Sequence, residues 1–300
     1  MIKDIEAVLE KLAWMRENRI WPNGLRYLWT DAFGLVLFVS LYRELGEEIY
    51  LEEAEELVRE VDRVLGRPKG IRIGEAPERD GQYYHYLAMW LFALHRLGQV
   101  KPTYGEQAIR LAREIHPHFV KSGTGIIWKM REDLSAPYPG SGLGGIDPFH
   151  GYVVYRLLGE TELAHEVGEL RELVDSYHPE SEINQDLGLG MMLWMTHFFP
   201  AELWAVEQRE RSLATLDRMW IDPPGYFCRH PAMRDVKFAF TNYGISVGLQ
   251  AADRWIDRVE RLNEFFATYR SGDRYDIEAI THVMACSSHF PGELIQAASS

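Results

Sequence analysis

A chain of 300 residues with 46% hydrophobic and 26% charged content has the make-up of a globular protein, which excludes fibrous, collagen-like and largely disordered readings. Its 45 acidic against 32 basic residues leave a formal charge of −13, a field that repels phosphate backbones, so nucleic acid is not an expected partner. Cys228 and Cys286 are the two cysteines, too few for a disulfide framework, which fits a reducing cytoplasm. No apolar run reaches the roughly 18–20 residues of a membrane span.

The first segment interleaves Lys3, Asp4, Glu6, Glu10 and Lys11 with apolar residues, which predicts an amphipathic helix over 3–17 rather than a signal peptide. From there two kinds of segment alternate. Apolar stretches near 32–45, 82–97, 148–158, 187–199, 239–253 and 276–287 are greasy almost all round; Leu189 through Phe199, for instance, has His197 as its one strongly polar member. Such helices are predicted to be buried on every side. Between them, near 51–65, 103–118, 161–176, 201–219 and 256–270, the helical spacing leaves one wet face, as with Leu51, Ala54, Leu57, Val58, Val61, Val64 and Leu65. The N-terminal helix is the natural partner of the last greasy one, giving twelve helices in six hairpins.

Greasy helices lead into amphipathic ones through short turns containing Gly46, Gly98-Gln99, Gly159 or Pro200. The return connections, 18–31, 66–81, 119–147, 177–186 and 220–238, are mostly long and rich in Gly, Pro, aromatics and charge, and in an alternating array they emerge at one end, where function is expected. The greasy helices start on a weak repeat, Asp31-Ala-Phe-Gly34, Asp147-Pro-Phe-His-Gly151, Asp186-Leu-Gly188 and Thr241-Asn242-Tyr-Gly244. Its irregular spacing argues against a strict solenoid and for a closed ring. The predicted fold is all-α, an (α/α)6 toroid forming a single domain over 1–300, interrupted by one short β-hairpin near Gly125-Ile-Ile-Trp-Lys-Met-Arg131.

With this pattern the chain resembles the six-hairpin glycosidase-like superfamily, and the segments Arg79-Asp-Gly-Gln-Tyr-Tyr-His-Tyr86, Trp128-Lys-Met130, Asp133-Leu-Ser135 and Asp147-Pro-Phe-His-Gly-Tyr-Val-Val-Tyr155 resemble those of one branch of it. The resemblance implies carbohydrate as substrate class, by analogy of fold. No catalytic motif carries over residue by residue.

If the long loops form a mouth, the polar residues at the helix starts point into it: Asp31, Asp80, Tyr83, Tyr84, His85, Asp147, His150, Asp186, Asn242 and Tyr243. Any one Asp or Asn there also serves to cap a helix, and Asp147-Pro148 has the form of a capped start. Several carboxylates with aromatics exceed what capping needs. Cleavage of a glycosidic bond uses a protonated carboxyl and a carboxylate roughly 6.5–9.5 Å apart for inversion, and Asp80 and Asp147, each after a long glycine-containing loop, are the expected pair. His85 or His150 would instead suit a sugar epimerase or isomerase. Trp128, Lys129, Arg131 and Asp133 bring aromatic and charged groups to the same mouth for substrate binding, or alternate along a strand. His116 and His178, each followed by Pro, read as helix ends. Gly140-Ser-Gly-Leu-Gly-Gly145 lacks the ending of a phosphate loop.

Zinc on Cys228, His230 and Cys286 lacks any tight spacing, so neither metal nor other cofactor is expected. The sequence therefore predicts a cytoplasmic carbohydrate-active enzyme that hydrolyses a small glycoside. Epimerisation or isomerisation of a sugar, and a non-catalytic saccharide-binding toroid, are the alternatives. The oligomeric state is left open.

Overall fold

A computed structural model describes residues 1–22, 24–221, 225–226, 239–270, 272 and 274–297. Its helices, in chain order, are α1 (Ile5–Glu17), α2 (Leu28–Leu45), α3 (Glu48–Leu65), α4 (Tyr84–Gly98), α5 (Pro102–Phe119), α6 (Asp147–Gly159), α7 (Ala164–Tyr177), α8 (Asp186–Phe198), α9 (Leu203–Met219), α10 (Ala239–Ala251), α11 (Ile256–Thr268) and α12 (Ala279–His289). Each lies where the apolar spacing predicts it. The two classes follow from composition: α2 buries every residue from Leu28 to Leu41, whereas α3 buries only the stripe of Tyr50, Leu51, Ala54, Leu57, Val58, Val61 and Leu65. Local signals set the ends. Asp4 caps α1 by accepting from the Ala7 N–H at 3.1 Å, α2 stops at Gly46 in the left-handed conformation, and Pro102 and Pro148 sit in the first turns of α5 and α6.

The chain forms two compact units. In the unit of residues 25–181, the greasy helices α2, α4 and α6 pack side by side, α4 in the middle, and each carries its amphipathic follower, α3, α5 or α7. The unit of residues 1–24 and 182–300 repeats the scheme, with α10 between α8 and α12, and with α9, α11 and α1 as the amphipathic partners. Helix α1 closes on α12 as predicted: the Asp4 N–H donates to the His289 carbonyl at 3.0 Å, and the Trp14 and His282 rings meet edge to face at 4.6 Å. Helices α8 and α10 touch backbone to backbone. A Cβ on Gly190 would strike the carbonyl of Gly244, and one on Gly248 that of Gly190, so this crossing admits only glycine there.

Among the described residues there are six two-residue strands: β1 (Gln82–Tyr83), β2 (Val120–Lys121), β3 (Gly125–Ile126), β4 (Lys129–Met130), β5 (Trp220–Ile221) and β6 (Gly225–Tyr226). The predicted hairpin is divided between two partners. Strand β3 turns back on β2, while β4 pairs with β1 in the register Gln82↔Met130, which ties the loop before α4 to the loop before α6. Among the described residues no helix is long and apolar enough to cross a membrane.

Candidate functional site

The site lies in the unit of residues 25–181, where α4 and α6 begin beside one another. Asp147 is the first residue of α6, only 2% exposed, and its Oδ1 stands 3.6 Å from Nδ1 of His85 in the first turn of α4. No hydrogen bond reaches that Oδ1 from the described residues. The loop backbone covers the carboxyl, since a Cβ on Gly144 would collide with it. A helix N-terminus favours an ionised carboxylate, but burial opposes it and wins, raising Asp147 to about 7. Burial lowers His85 to about 4. His150, one turn further along α6 and 1% exposed, is lowered to about 3 by burial and by the nearby His85. Near neutral pH the cluster thus holds an acid that can keep its proton and two neutral imidazoles, each with one nitrogen free of a proton.

His85 keeps 28% of its side-chain surface open and is ringed by aromatics: Tyr86 at 4.7 Å, Trp29 at 5.7 Å and Tyr83 at 6.0 Å between ring centroids. The wall continues through Trp128, 5.2 Å from Tyr83, and Tyr27, whose hydroxyl is hydrogen-bonded to that of Tyr86 at 2.6 Å. Tyr27, Tyr83, His85, Tyr86 and Trp128 are all half-buried. Burial, and secondarily the charge of Glu75, raises the Tyr83 phenol above its ordinary range, so it stays a neutral hydroxyl.

Other predicted residues have structural partners. Asp80 is ion-paired with Arg72 through one oxygen and accepts from the Gly74 and Gly81 N–H groups, at 3.2 and 2.8 Å, through the other. It binds the loop ahead of α4 to itself. Asp31 pairs with Arg26 at 3.2 Å and accepts from the Tyr27 N–H at 3.2 Å, securing the start of α2. Lys129 is a strut: its Nζ donates to the Arg79 carbonyl at 2.5 Å and the Tyr83 hydroxyl at 3.0 Å, and lies 3.8 Å from the centre of the Tyr138 ring. Tyr84 points into the core against Phe119 and over Gly151. Arg131 and Asp133 are exposed, and Asp133 accepts from the N–H and hydroxyl of Ser135 at 3.0 and 2.6 Å.

Three expected residues belong to the other unit. Asp186 opens α8 and accepts from the Leu187 N–H at 3.0 Å. Asn242 accepts from the Tyr226 N–H at 2.7 Å, and Tyr243 is buried beside Phe266 at 5.7 Å. Cys228 and His230 lie outside the described residues. Burial pushes the Cys286 thiol up to about 12, so it is inert, and among the described residues no group of three His, Cys, Asp or Glu is arranged to hold a metal ion.

Tyr27, Trp29 and Tyr86 join the wall without having been singled out as site residues in the sequence. The available signal is the run of aromatic residues at the start of a greasy helix, as with Tyr83 just before α4 and Tyr86 in its first turn.

No protein-family profile matches the chain, and no curated protein matches it. Solved structures do match. A cellobiose 2-epimerase from Bacillus thermoamylovorans superposes with a TM-score of 0.62 at 11% identity, covering 87% of each chain. A D-mannose isomerase gives 0.63 at 12% identity over 90% of this chain and 88% of that one. An α-1,6-mannanase from a Salegentibacter species gives 0.63 at 14% identity over 94% and 98%. The fold is thus the (α/α)6 toroid of the six-hairpin glycosidase-like proteins, as the alternation of helices predicts.

Proposed function

We propose that the protein is a carbohydrate-active enzyme that epimerises or isomerises a small sugar, with Asp147 as proton donor and His85 or His150 as base. The contact between Asp147 and His85 carries this reading: a carboxyl that holds its proton to about pH 7 stands 3.6 Å from an imidazole that stays neutral down to about pH 4. General acid–base catalysis on a sugar needs such a pair within reach of one carbon and its neighbouring oxygen. Tyr83, Tyr86 and Trp128 offer ring faces and edges to the apolar face of a pyranose. Cellobiose 2-epimerase and D-mannose isomerase share the fold, which adds support by analogy.

Hydrolysis is the second reading, because a carboxyl with a raised pKa also suits the acid of glycoside cleavage. It needs a second carboxylate, and Asp80 has both oxygens engaged by Arg72, Gly74 and Gly81. In the Salegentibacter mannanase, replacing two consecutive aspartates by alanine gives an inactive variant. No two aspartates are consecutive in this chain.

The test is incubation with mannose, glucose and cellobiose in D2O, followed by NMR and mass spectrometry. The expected product is an isomer of the sugar with one carbon-bound deuterium, absent with Asp147→Asn. Release of a monosaccharide from a glycoside, with no deuterium on carbon, would establish hydrolysis instead. Binding without turnover, unaffected by Asp147→Asn, would make the toroid a binding protein.

A further inference from the structure

We propose that a cavity in the unit of residues 1–24 and 182–300 binds a monosaccharide carrying an anionic group, phosphate or carboxylate. The cavity, about 290 Å³, is lined by α1, the start of α10, the end of α11 and the segment after it, the start of α12 and the turn preceding it. That is the small end of the range for ligand pockets, roughly 300–1,000 Å³, and suits one sugar ring rather than an oligosaccharide. None of the Asp147 cluster contributes to it.

Two cations reach this space, Lys11 from α1 and Arg270 from the segment just after α11. Neither has a carboxylate partner among the described residues: Arg270 donates to the carbonyls of Tyr269 at 2.6 Å and Ala267 at 3.4 Å, both on its own segment. Each positive charge acts on the other and on His282 in the same wall. Among the described residues one carboxylate lines the cavity, Asp276, which accepts from the Gly272 N–H at 2.8 Å. In a chain of formal charge −13, two cations lining one cavity without a carboxylate partner among the described residues make a local positive field, and an anion placed between them relieves their repulsion.

The remaining walls select what carries the anion. Trp14, 37% exposed at the rim, lies against His282 and has the Lys11 ammonium 5.6 Å from its ring centre. Tyr243 and Tyr275 supply further rings. The Thr281 hydroxyl is buried and has no hydrogen-bond partner among the described residues, a state that a ligand hydroxyl would correct. Ring faces, a waiting hydroxyl and paired cations match a pyranose bearing a phosphate or carboxylate better than a bare anion or a neutral sugar.

Isothermal titration calorimetry on the full chain at low salt, with glucose 6-phosphate, glucuronate, glucose and inorganic phosphate, tests the proposal. At least one sugar anion is expected to bind about tenfold or more tightly than glucose and than inorganic phosphate. Lys11→Met and Arg270→Gln should each weaken it by about tenfold, the worth of a charge-assisted hydrogen bond. Circular dichroism verifies that the variants fold. The preferred sugar anion distinguishes the phosphate from the carboxylate source. Asp147→Asn should leave this binding intact, which separates it from the reaction proposed above. No binding of either sugar anion, equal binding of inorganic phosphate, or unchanged affinity in both folded charge variants would overturn the proposal.

Discussion

Asp147 and His85 stand 3.6 Å apart, the Oδ1 of one facing the Nδ1 of the other, yet burial drives both toward their neutral forms. A surface pair at this distance would be carboxylate and imidazolium. Here the desolvation of two helix starts outweighs their attraction, which leaves a proton on the acid and a lone pair on the imidazole in the same pH interval.

This has a cost that can be measured. The folded protein keeps the Asp147 proton to about pH 7, against an ordinary value of 3.8, so it binds more protons than the unfolded chain between these values. The stability tied to this group is full at acid pH and falls as the pH rises through 7. Asp147→Asn should therefore raise stability at pH 8 by roughly 2–4 kcal/mol and change it far less at pH 4. Calorimetric melting at the two pH values checks this, and a lower Tm for the variant at pH 8 would contradict it.

The rate of sugar isomerisation should be bell-shaped in pH. Activity falls above about 7 as Asp147 ionises and below about 4 as His85 gains a proton. Initial rates from pH 3 to 9 give both limbs, and a profile flat across pH 7 would remove Asp147 as the donor.

Asp80→Asn should behave as a structural substitution. Loss of the charge opposite Arg72, together with weaker acceptance from Gly74 and Gly81, should cost roughly 2–4 kcal/mol while kcat changes little. Chemical denaturation and kinetics on the same variant separate the effects. A large fall in kcat at unchanged stability would return Asp80 to the chemistry.

Gly190→Ala and Gly248→Ala should each destabilise by roughly 1–3 kcal/mol or more, the scale of overpacking, because the new methyl meets the backbone of the facing helix. Gly168→Ala on α7, where a Cβ meets nothing within 4 Å, is the control and should be neutral or slightly stabilising.

The helices were legible because burial on all sides and burial on one side leave different apolar patterns, and α2 and α3 show the two in succession. Asp147, His85 and His150 were legible as candidates because helix starts are countable along the chain. What the pattern does not encode is which charges are answered at long range. Asp80 and Asp147 look alike in sequence, each after a long loop, but the Arg72 guanidinium folds back on one and the His85 imidazole faces the other. Lys129 reads as a ligand-binding cation until the Arg79 carbonyl and the Tyr83 hydroxyl are found on its ammonium.

The short ladder of β1 and β4 gives the long loops a shared fate. The Tyr84 N–H is held by the Trp128 carbonyl at 3.1 Å, and the Tyr138 N–H by that of Lys129 at 3.0 Å, so amides 54 residues apart in sequence depend on the same few bonds. Opening them is one cooperative event. In hydrogen exchange, Tyr84 and Tyr138 would lose protection together, at a rate set by the ladder and well ahead of the helices it joins.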